Sequence, residues 1–352
     1  MFVTESDFTL IIPTHNRSVY LKRILSYYYQ QNCKFQFIIC DSSAEAFQEI
    51  SFFSKKLNIS YFHVPKLSYA DKLYSVADLI KTDYASFCAD DDFIFIDSIL
   101  KCIEFLKYSP DYVSVQGKYF GFSKTGKLIT TYPIYSGTLS IDLNQASPSL
   151  RLKEYNKKYF LAVYSVHRGF VLRKTLKLFE NVKNIYLLEL LMGYNAIIQG
   201  AHKILPILYS AREKLSNSAG SSGDNLEVVF NDSKYKQEYV KFIECISKCL
   251  SEKETISIAE SSHHVKEVLD MRAEVYKNKS APVDTETYIN QGVVRKIKNA
   301  IKSIVSPKLI FKLHKYSHEK SCRRITANTL NFNKKDYQNY RLFISFIKEY
   351  TD

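Results

Sequence analysis

Three consecutive carboxylates, Asp90, Asp91 and Asp92, are the residues of this sequence best suited to chemistry. They lie between two short apolar segments, residues 84–88 and 93–96. Adjacent carboxylates repel one another, so such a cluster is stable either on a solvated turn or around a divalent cation. A turn between two buried segments favours the cation, and hard oxygen ligands select Mg²⁺ or Mn²⁺. The triplet therefore predicts a metal site that is shared with phosphate oxygens.

Short apolar segments and helical patterns alternate along the chain up to this triplet. The apolar segments cover residues 8–13, 35–40, 59–64 and 84–88, and the helical patterns cover residues 18–30, 44–57 and 71–80. Strands of about five residues that alternate with helices of about 10–15 are typical of βαβ units and of a parallel sheet buried on both faces. The sequence therefore predicts an α/β fold.

Polar residues follow three of the predicted strands at the point where each strand ends. They are Thr14, His15 and Arg17 after the first strand, Asp41 after the second, and the Asp triplet after the fourth. Ligands of parallel α/β sheets bind outside the carboxyl ends of the strands, so we expect these side chains to meet at one edge. The phosphate-binding patterns GxGxxG and GxxxxGK[ST] do not occur, which excludes the Rossmann dinucleotide and P-loop sites.

The rest of the chain predicts two regions joined by a flexible segment. After the triplet we expect a helix over residues 99–107, two strands around Gly117 over residues 112–122 and a loop over residues 123–150. An apolar helix over residues 185–199 and a last strand over residues 203–209 follow. Ser, Asn and Gly make residues 213–225 the clearest flexible stretch, with a lid as one hypothesis. Helical patterns follow at residues 232–251, 254–278, 284–305 and 334–349. We therefore expect a catalytic domain over residues 1–220 and a helical basic domain over residues 226–352.

Three stretches of the N-terminal part form a recognisable set: FTLIIPTHNRSVYLKRIL, FQFIICDSS and ADKLYSVADLIKTDYASFCADDD. They resemble the first strand and helix, the second strand with its terminal aspartate, and the approach to the DxD metal motif in GT-A-fold, family-2-type glycosyltransferases. The resemblance covers about residues 1–215. It implies a Rossmann-like, mostly parallel sheet flanked by helices, followed here by a mainly helical extension.

The resemblance also implies roles for individual residues. Thr14, His15 and Arg17 would line the nucleotide pocket. The nucleotide base would donate a hydrogen bond to Asp41, and the diphosphate would lie near Lys72. Asp90, Asp91 and Asp92 would hold the metal, the ribose and the phosphates. One departure concerns the metal motif, because Ala89 stands where the common Asp-x-Asp-Asp form has its first carboxylate. We expect Asp92 to bind the metal directly, with either Asp90 or Asp91 as its partner.

A general base is required if the transfer inverts the sugar, because the acceptor hydroxyl must lose a proton. Similar enzymes use an acidic residue at the start of a helix about 100 residues after the metal motif, and Glu189 matches that position. Its apolar neighbours would desolvate the carboxylate and raise its pKa, whereas a place on a polar helix face would give it no such role. Glu180 is the alternative base. Arg212, after the last strand, could reach the diphosphate.

These residues and the resemblance together imply a metal-dependent, inverting glycosyltransferase that takes its sugar from a nucleotide-sugar donor. The acceptor would be a glycan or a lipid-linked glycan in bacterial surface polysaccharide synthesis, and the cofactor Mn²⁺ or Mg²⁺. Two alternatives stay open: transfer of a CDP-activated polyol phosphate by the same fold, and a non-catalytic GT-A-like assembly partner, which the departure at Ala89 permits. His167 and Arg168 could bind donor phosphate or acceptor, or form a surface turn.

Basic residues concentrate near the C-terminus of a chain whose formal net charge is +13. Residues 291–324 contain ten Lys and Arg but only one acid, Glu319, and part of the segment shows a helical pattern with one apolar and one basic face. This predicts either a helix on an anionic membrane surface or a helix packed on the catalytic domain. Nucleic acid is not expected, because aromatic platforms and known modules are missing.

Seven scattered cysteines without a CxxC pair fit a reducing compartment. The N-terminal segment lacks the basic region of a signal peptide, and no apolar stretch approaches the length of a membrane span. We therefore expect a cytoplasmic protein, which the basic segment could attach to the inner face of the membrane.

Overall fold

The first strand of the sheet, β1 (Phe8–Thr14), is buried along its whole length. The computed structural model describes residues 4–135, 140–215, 229, 232–279 and 319–350. Around β1 lie β2 (Gln36–Asp41), β3 (Asn58–His63) and β4 (Tyr84–Phe87), all parallel, in the order β3-β2-β1-β4. The connections contain α1 (Ser18–Gln30), α2 (Ile50–Phe53) and α3 (Tyr69–Ser75). The predicted parallel half-sheet is confirmed.

The second half of the sheet is mixed. From β4 the order continues through β9 (Val166–Arg168), β6 (Tyr112–Thr125) and β10 (Ala201–Glu213) to β5 (Phe93–Ile94). Strands β6 and β10 are parallel, whereas β9 and β5 run antiparallel to their neighbours. Two short strands, β7 (Leu128–Ile134) and β8 (Asp142–Leu143), pair antiparallel with β6 and β10.

Helices cover this half of the sheet and continue beyond it. They are α4 (Ile96–Tyr108), α5 (Pro148–Lys157), α6 (Gly169–Lys177), α7 (Ile185–Gln199), α8 (Lys236–Glu254), α9 (Ile258–Lys279) and α10 (Lys334–Glu349). Short 3-10 helices cover Glu5–Asp7, Ala77–Leu79, Leu178–Glu180 and Ser233–Tyr235. Residues 319–329 are helical as well.

The C-terminal helices share one hydrophobic core with the sheet. On α10, the Phe343 ring lies 5.1 Å from both the Phe93 and the Phe122 rings, measured between centroids. On β6, the buried Lys118 ammonium donates to the Leu330 carbonyl oxygen at 2.7 Å, which fastens the chain beyond residue 329 to the sheet. The predicted helical extension is confirmed. The division into one domain over residues 1–220 and another over residues 226–352 stays a prediction.

Two local predictions are wrong for reasons that lie in tertiary contacts. Of residues 44–57, only the four of α2 are α-helical, and the Phe47 N–H instead donates to the Tyr61 hydroxyl at 2.7 Å. The two strands predicted around Gly117 form one continuous strand, β6. A Cβ at Gly117 would lie 2.4 Å from the Ile207 carbonyl oxygen, so glycine permits the close approach of β10.

The loop predicted over residues 123–150 contains regular structure. Strand β7 follows β6 through a two-residue hairpin, whose Gly126 has a φ of 59° and therefore suits glycine. Strand β8 and the first turn of α5 also fall in this range.

Several predicted features lie outside the described residues. They are the segment 216–225, the helix over residues 284–305 and the basic segment up to residue 318. Among the helices that the structure does describe, none is long and apolar enough to cross a membrane.

Two buried histidines in the sheet are expected to make the fold sensitive to acid. His167 on β9 is 1% exposed and His202 on β10 is 0% exposed, and burial lowers their pKa to about 4 and about 3. The unfolded chain protonates histidine near pH 6.5, so it binds more protons than the folded chain below that pH, and stability falls. We expect each histidine to remove roughly 1–3 kcal/mol of stability between pH 6.5 and 4. The buried carboxyl groups of Asp90 and Asp92 act in the opposite direction in this range, because burial raises their pKa. The histidine contribution is therefore read from the difference between variants.

Differential scanning fluorimetry on His202→Asn tests this expectation. Asparagine keeps a polar atom near Ser114, whose hydroxyl lies 2.8 Å from the His202 Nδ1, but it has no proton to gain in this range. Its melting temperature should fall less steeply with acid than that of the wild type, and the exposed His263→Asn variant should follow the wild type. Equal slopes for all three proteins would contradict the assignment.

Candidate active site

The loop after β1 and the Asp triplet after β4 meet at the carboxyl edge of the sheet. The Thr14 hydroxyl donates to Asp90 Oδ2 at 2.6 Å. Arg17, at the N-cap of α1, pairs with the first two carboxylates of the triplet. Its Nε lies 3.3 Å from Asp90 Oδ1, and its Nη2 lies 2.7 Å from Asp91 Oδ2. The Arg17 guanidinium also lies 4.4 Å from the centre of the Tyr20 ring. The structure thus brings Thr14, Arg17 and the triplet together.

Asp92 is held by the end of β10. Arg212 Nε lies 3.2 Å from Asp92 Oδ2, and the Glu213 backbone N–H donates to Asp92 Oδ1 at 2.9 Å. The Tyr164 hydroxyl donates to the same Oδ2 at 2.6 Å, and the Arg212 guanidinium lies 5.3 Å from the centre of the Tyr164 ring. Arg212, which the sequence places after the last strand, is therefore part of the cluster and lies within β10.

Burial dominates the electrostatics of the triplet. It raises the pKa of Asp90 to about 7, although the Arg17 charge acts to lower it. Burial likewise raises the pKa of Asp92 against the opposing charge of Arg212. Both carboxyl groups are 3% exposed, so their negative charge is costly without a cation beside it. The arginines supply that charge within the chain.

Asp41 lies in a second group of residues on the same edge. Its carboxylate is buried and accepts hydrogen bonds from the Ser43 N–H at 2.8 Å and from the Tyr61 hydroxyl at 2.7 Å. The side chain of His15 is exposed, and its Nδ1 lies 3.0 Å from the Ser42 carbonyl oxygen. His15 therefore contacts the residue that follows Asp41, and the expected contacts of both residues with the nucleotide stay a prediction.

The Lys72 side chain of α3 contacts both the end of β1 and the loop after β2. Its ammonium is 2% exposed and donates to the Thr14 carbonyl oxygen at 2.6 Å and to the Ser42 hydroxyl at 3.2 Å. Burial lowers the pKa of Lys72, while the charges of Asp90 and Asp41 raise it. The structure therefore shows Lys72 bracing the loops after β1 and β2, and its expected place near a diphosphate stays a prediction.

Glu189 lies in α7, one turn after the helix begins, and is partly exposed. Burial raises the pKa of its carboxyl, and the positive charges of Arg212 and Arg272 oppose that effect. The charge of Arg212 thus acts on both Glu189 and Asp92, and the role of Glu189 as the base stays a prediction. Glu180, the alternative base, is exposed in a 3-10 helix that packs on α3.

Sequence reasoning missed four residues that contact the triplet or its partners: Tyr164, Glu213, Arg23 and Tyr20. Tyr164 and Glu213 lie more than 70 positions from Asp92, and no local pattern connects them to it. Arg23 offered a signal, because it lies between Tyr20 and Tyr27 at helical spacing, where a charged residue interrupts an aromatic stripe.

Two polar residues singled out in the sequence lie away from this edge. The Arg168 guanidinium donates to the carbonyl oxygens of Leu106 and Tyr112, at 2.8 and 2.9 Å, and so caps the end of α4. His167 is buried within the sheet. Their interpretation as donor or acceptor ligands therefore receives no support from their surroundings.

The Asp triplet can hold a divalent ion only together with oxygen ligands from another molecule. Asp92 accepts three hydrogen bonds, and a carboxylate has about four lone-pair sites, so one is left for a cation. Over the part of the chain that the structure describes, no three His, Cys, Asp or Glu side chains are placed to hold a metal. A Mg²⁺ or Mn²⁺ ion here would need further oxygen ligands from a bound molecule, as diphosphate provides.

Part of the chain matches the model of a known protein family. Residues 9–177 match the model of glycosyl transferase family 2. A search of the curated proteins gave no significant match. The predicted fold class, a GT-A type α/β sheet with a helical C-terminal region, is confirmed.

Solved structures of S. aureus TarS have a similar fold. TarS 1-349 in complex with UDP-GlcNAc gives a TM-score of 0.53 at 12% identity, covering 96% of this chain and 92% of that one. Its complex with UDP gives 0.52 at 13% identity, with 97% and 91% covered. Another TarS structure gives a TM-score of 0.50 at 14% identity. The match covers 75% of this chain but only 43% of the TarS chain. Identities this low show the fold alone.

Proposed function

We propose that this chain, whose residues 9–177 match the model of glycosyl transferase family 2, transfers a sugar from a nucleotide-sugar donor to the hydroxyl of a glycan or lipid-linked acceptor. The similarity to TarS structures that contain UDP and UDP-GlcNAc supports a UDP-linked donor. Synthesis of a bacterial surface polysaccharide is the setting we propose for this transfer.

One observation carries the proposal: the Asp triplet is joined to arginines from two distant segments. The ion-paired cluster contains three arginines, Arg17, Arg23 and Arg212, and four carboxylates, Asp90, Asp91, Asp92 and Glu213. When all are ionised the net charge is −1, so the cluster is close to neutral. The two negative charges of a nucleotide-sugar diphosphate alone would be repelled by the carboxylates, whereas a divalent cation bound with the diphosphate cancels them.

The leaving nucleotide gains negative charge as its bond to the sugar breaks. Arg17 pairs with Asp90 and Asp91, and Arg212 pairs with Asp92. Both arginines can turn their remaining N–H groups towards phosphate oxygens. A Mg²⁺ or Mn²⁺ ion held by Asp92 with Asp90 or Asp91 would supply further positive charge at these oxygens. Groups that are fixed before the reaction stabilise developing charge without reorganisation, which lowers the barrier.

We assign the proton transfer to Glu189. Burial raises the pKa of its carboxyl, so it is a stronger base than an exposed glutamate once it is ionised. A carboxylate that takes the proton of the acceptor hydroxyl permits attack on the sugar from the side opposite the nucleotide, and inverts the anomeric carbon. Inversion and the choice of acceptor are parts of the proposal.

Binding measurements by calorimetry test the proposal. We expect UDP to bind at least about tenfold more tightly in the presence of Mn²⁺ than in its absence, which is a coupling of about 1.4 kcal/mol. By linkage, UDP should strengthen Mn²⁺ binding by the same factor. The physical reason is the near-neutral cluster, which accepts the anion and the cation as a pair.

The variant Asp142→Asn serves as a control, because Asp142 pairs with Lys203 at the opposite edge of the sheet. It should bind UDP and Mn²⁺ as the wild type does. Failure of the wild type to bind UDP under any metal condition, or an affinity indifferent to the cation, would remove the basis of the proposed function.

A further inference from the structure

A buried ion pair lies directly beneath the Asp triplet. Arg23 Nη2, from α1, lies 2.5 Å from Glu213 Oε2, at the last residue of β10. The two side chains are 3% and 4% exposed. In the transfer described above, the two residues enter only through the charge balance of the cluster, where they cancel each other.

The pair is attached to the triplet on two sides. The same Arg23 Nη2 donates to the Asp91 carbonyl oxygen at 3.2 Å. The Glu213 N–H donates to Asp92 Oδ1 at 2.9 Å, and the preceding residue, Arg212, pairs with Asp92 Oδ2. Any shift of the pair therefore moves both the turn that carries the carboxylates and the guanidinium that faces them.

Stability alone does not account for a charged pair at this position. Removing two ions from water costs about as much as their mutual attraction returns, and apolar residues of similar size are often equally stable. The aromatic surroundings of Arg23, with the Tyr20 and Phe93 rings 5.0 and 5.4 Å away, would accept such residues. What apolar residues could not provide is the directed hydrogen bond to the Asp91 carbonyl.

We propose that Arg23 and Glu213 are positioning residues that set the geometry of the donor diphosphate site. The proposal rests on the proposed function. Arg23 fixes the main chain at Asp91, Glu213 fixes the end of β10, and together they hold Asp92 against Arg212, the two residues that we assign to the cation and the diphosphate. Residues that orient ligating groups in this way commonly change affinity or activity by about 10- to 100-fold when they are removed.

The test is the double variant Arg23→Met with Glu213→Met, which removes both charges and leaves neither buried alone. We expect its melting temperature to stay near that of the wild type, while UDP affinity measured with Mn²⁺ falls about 10- to 100-fold and the Mn²⁺ enhancement of UDP binding shrinks. The matched control, Lys203→Met with Asp142→Met, removes an ion pair of 2.7 Å near the start of β10 and should leave UDP binding unchanged.

A folded double variant that binds UDP and responds to Mn²⁺ like the wild type would overturn the proposal. If the double variant does not fold, Arg23→Lys decides, because it keeps the charge but shortens the reach to Glu213 and Asp91: weaker UDP binding supports the proposal, and unchanged binding overturns it. Absence of UDP binding by the wild type would instead be a failure of the proposed function, so the two failures are distinguishable.

Discussion

Replacement of Asp92 by asparagine is expected to lower kcat by about 10²- to 10³-fold, the effect of removing one preorganised charge-stabilising group. Asp92 connects Arg212, Tyr164 and the end of β10, and it is the carboxylate that we expect to hold the cation. Its amide would keep the shape but lose the charge. Mn²⁺-dependent UDP binding should be lost in parallel, as measured by calorimetry beside a transfer or donor-hydrolysis assay.

The control for this variant is Asp97→Asn, since Asp97 is 43% exposed and pairs with Lys335 outside the cluster. It should retain wild-type activity and UDP binding. A melting curve is needed for Asp92→Asn, because the substitution leaves Arg212 without its carboxylate partner. Normal activity in a folded Asp92→Asn protein would contradict the assignment of the metal site.

Replacement of Glu189 by glutamine is expected to lower kcat by about 10²- to 10⁴-fold, the usual contribution of a general base. Donor binding should not change, because Glu189 is assigned to the acceptor proton and not to the nucleotide. The wild-type rate should also fall as the pH is lowered through the Glu189 pKa, which burial raises above its ordinary value. Below that pH the carboxyl is protonated and cannot accept a proton.

The pH profile is best measured at saturating donor and Mn²⁺, since a bound cation keeps the triplet ionised. The acidic fall in rate should be absent from the residual activity of Glu189→Gln. Glu180→Gln is the matched control, as an exposed glutamate between α6 and α7, and should behave like the wild type. A large loss of kcat in Glu180→Gln, with little change of kcat in Glu189→Gln, would assign the role of base to Glu180.

Some elements followed from the sequence because the forces that define them are local. The predicted helices over residues 18–30, 185–199 and 334–349 have the bounds found in the structure, since helical periodicity is visible within a few turns. The helix predicted over residues 44–57 failed because a tyrosine on β3 captures the Phe47 N–H, and the continuity of β6 across Gly117 depends on β10.

The sequence by itself determined the chemistry available to this protein: an Asp triplet, Arg17 and Asp41 after strand ends that parallel topology brings to one edge, and Glu189 near the start of an apolar helix. Only the tertiary structure decided the pairings, which join Asp92 to Tyr164 and Arg212, and Arg23 to Glu213. The physical reason is distance along the chain. A strand end is specified by neighbouring residues, whereas an ion pair across 190 positions exists only after the sheet has closed.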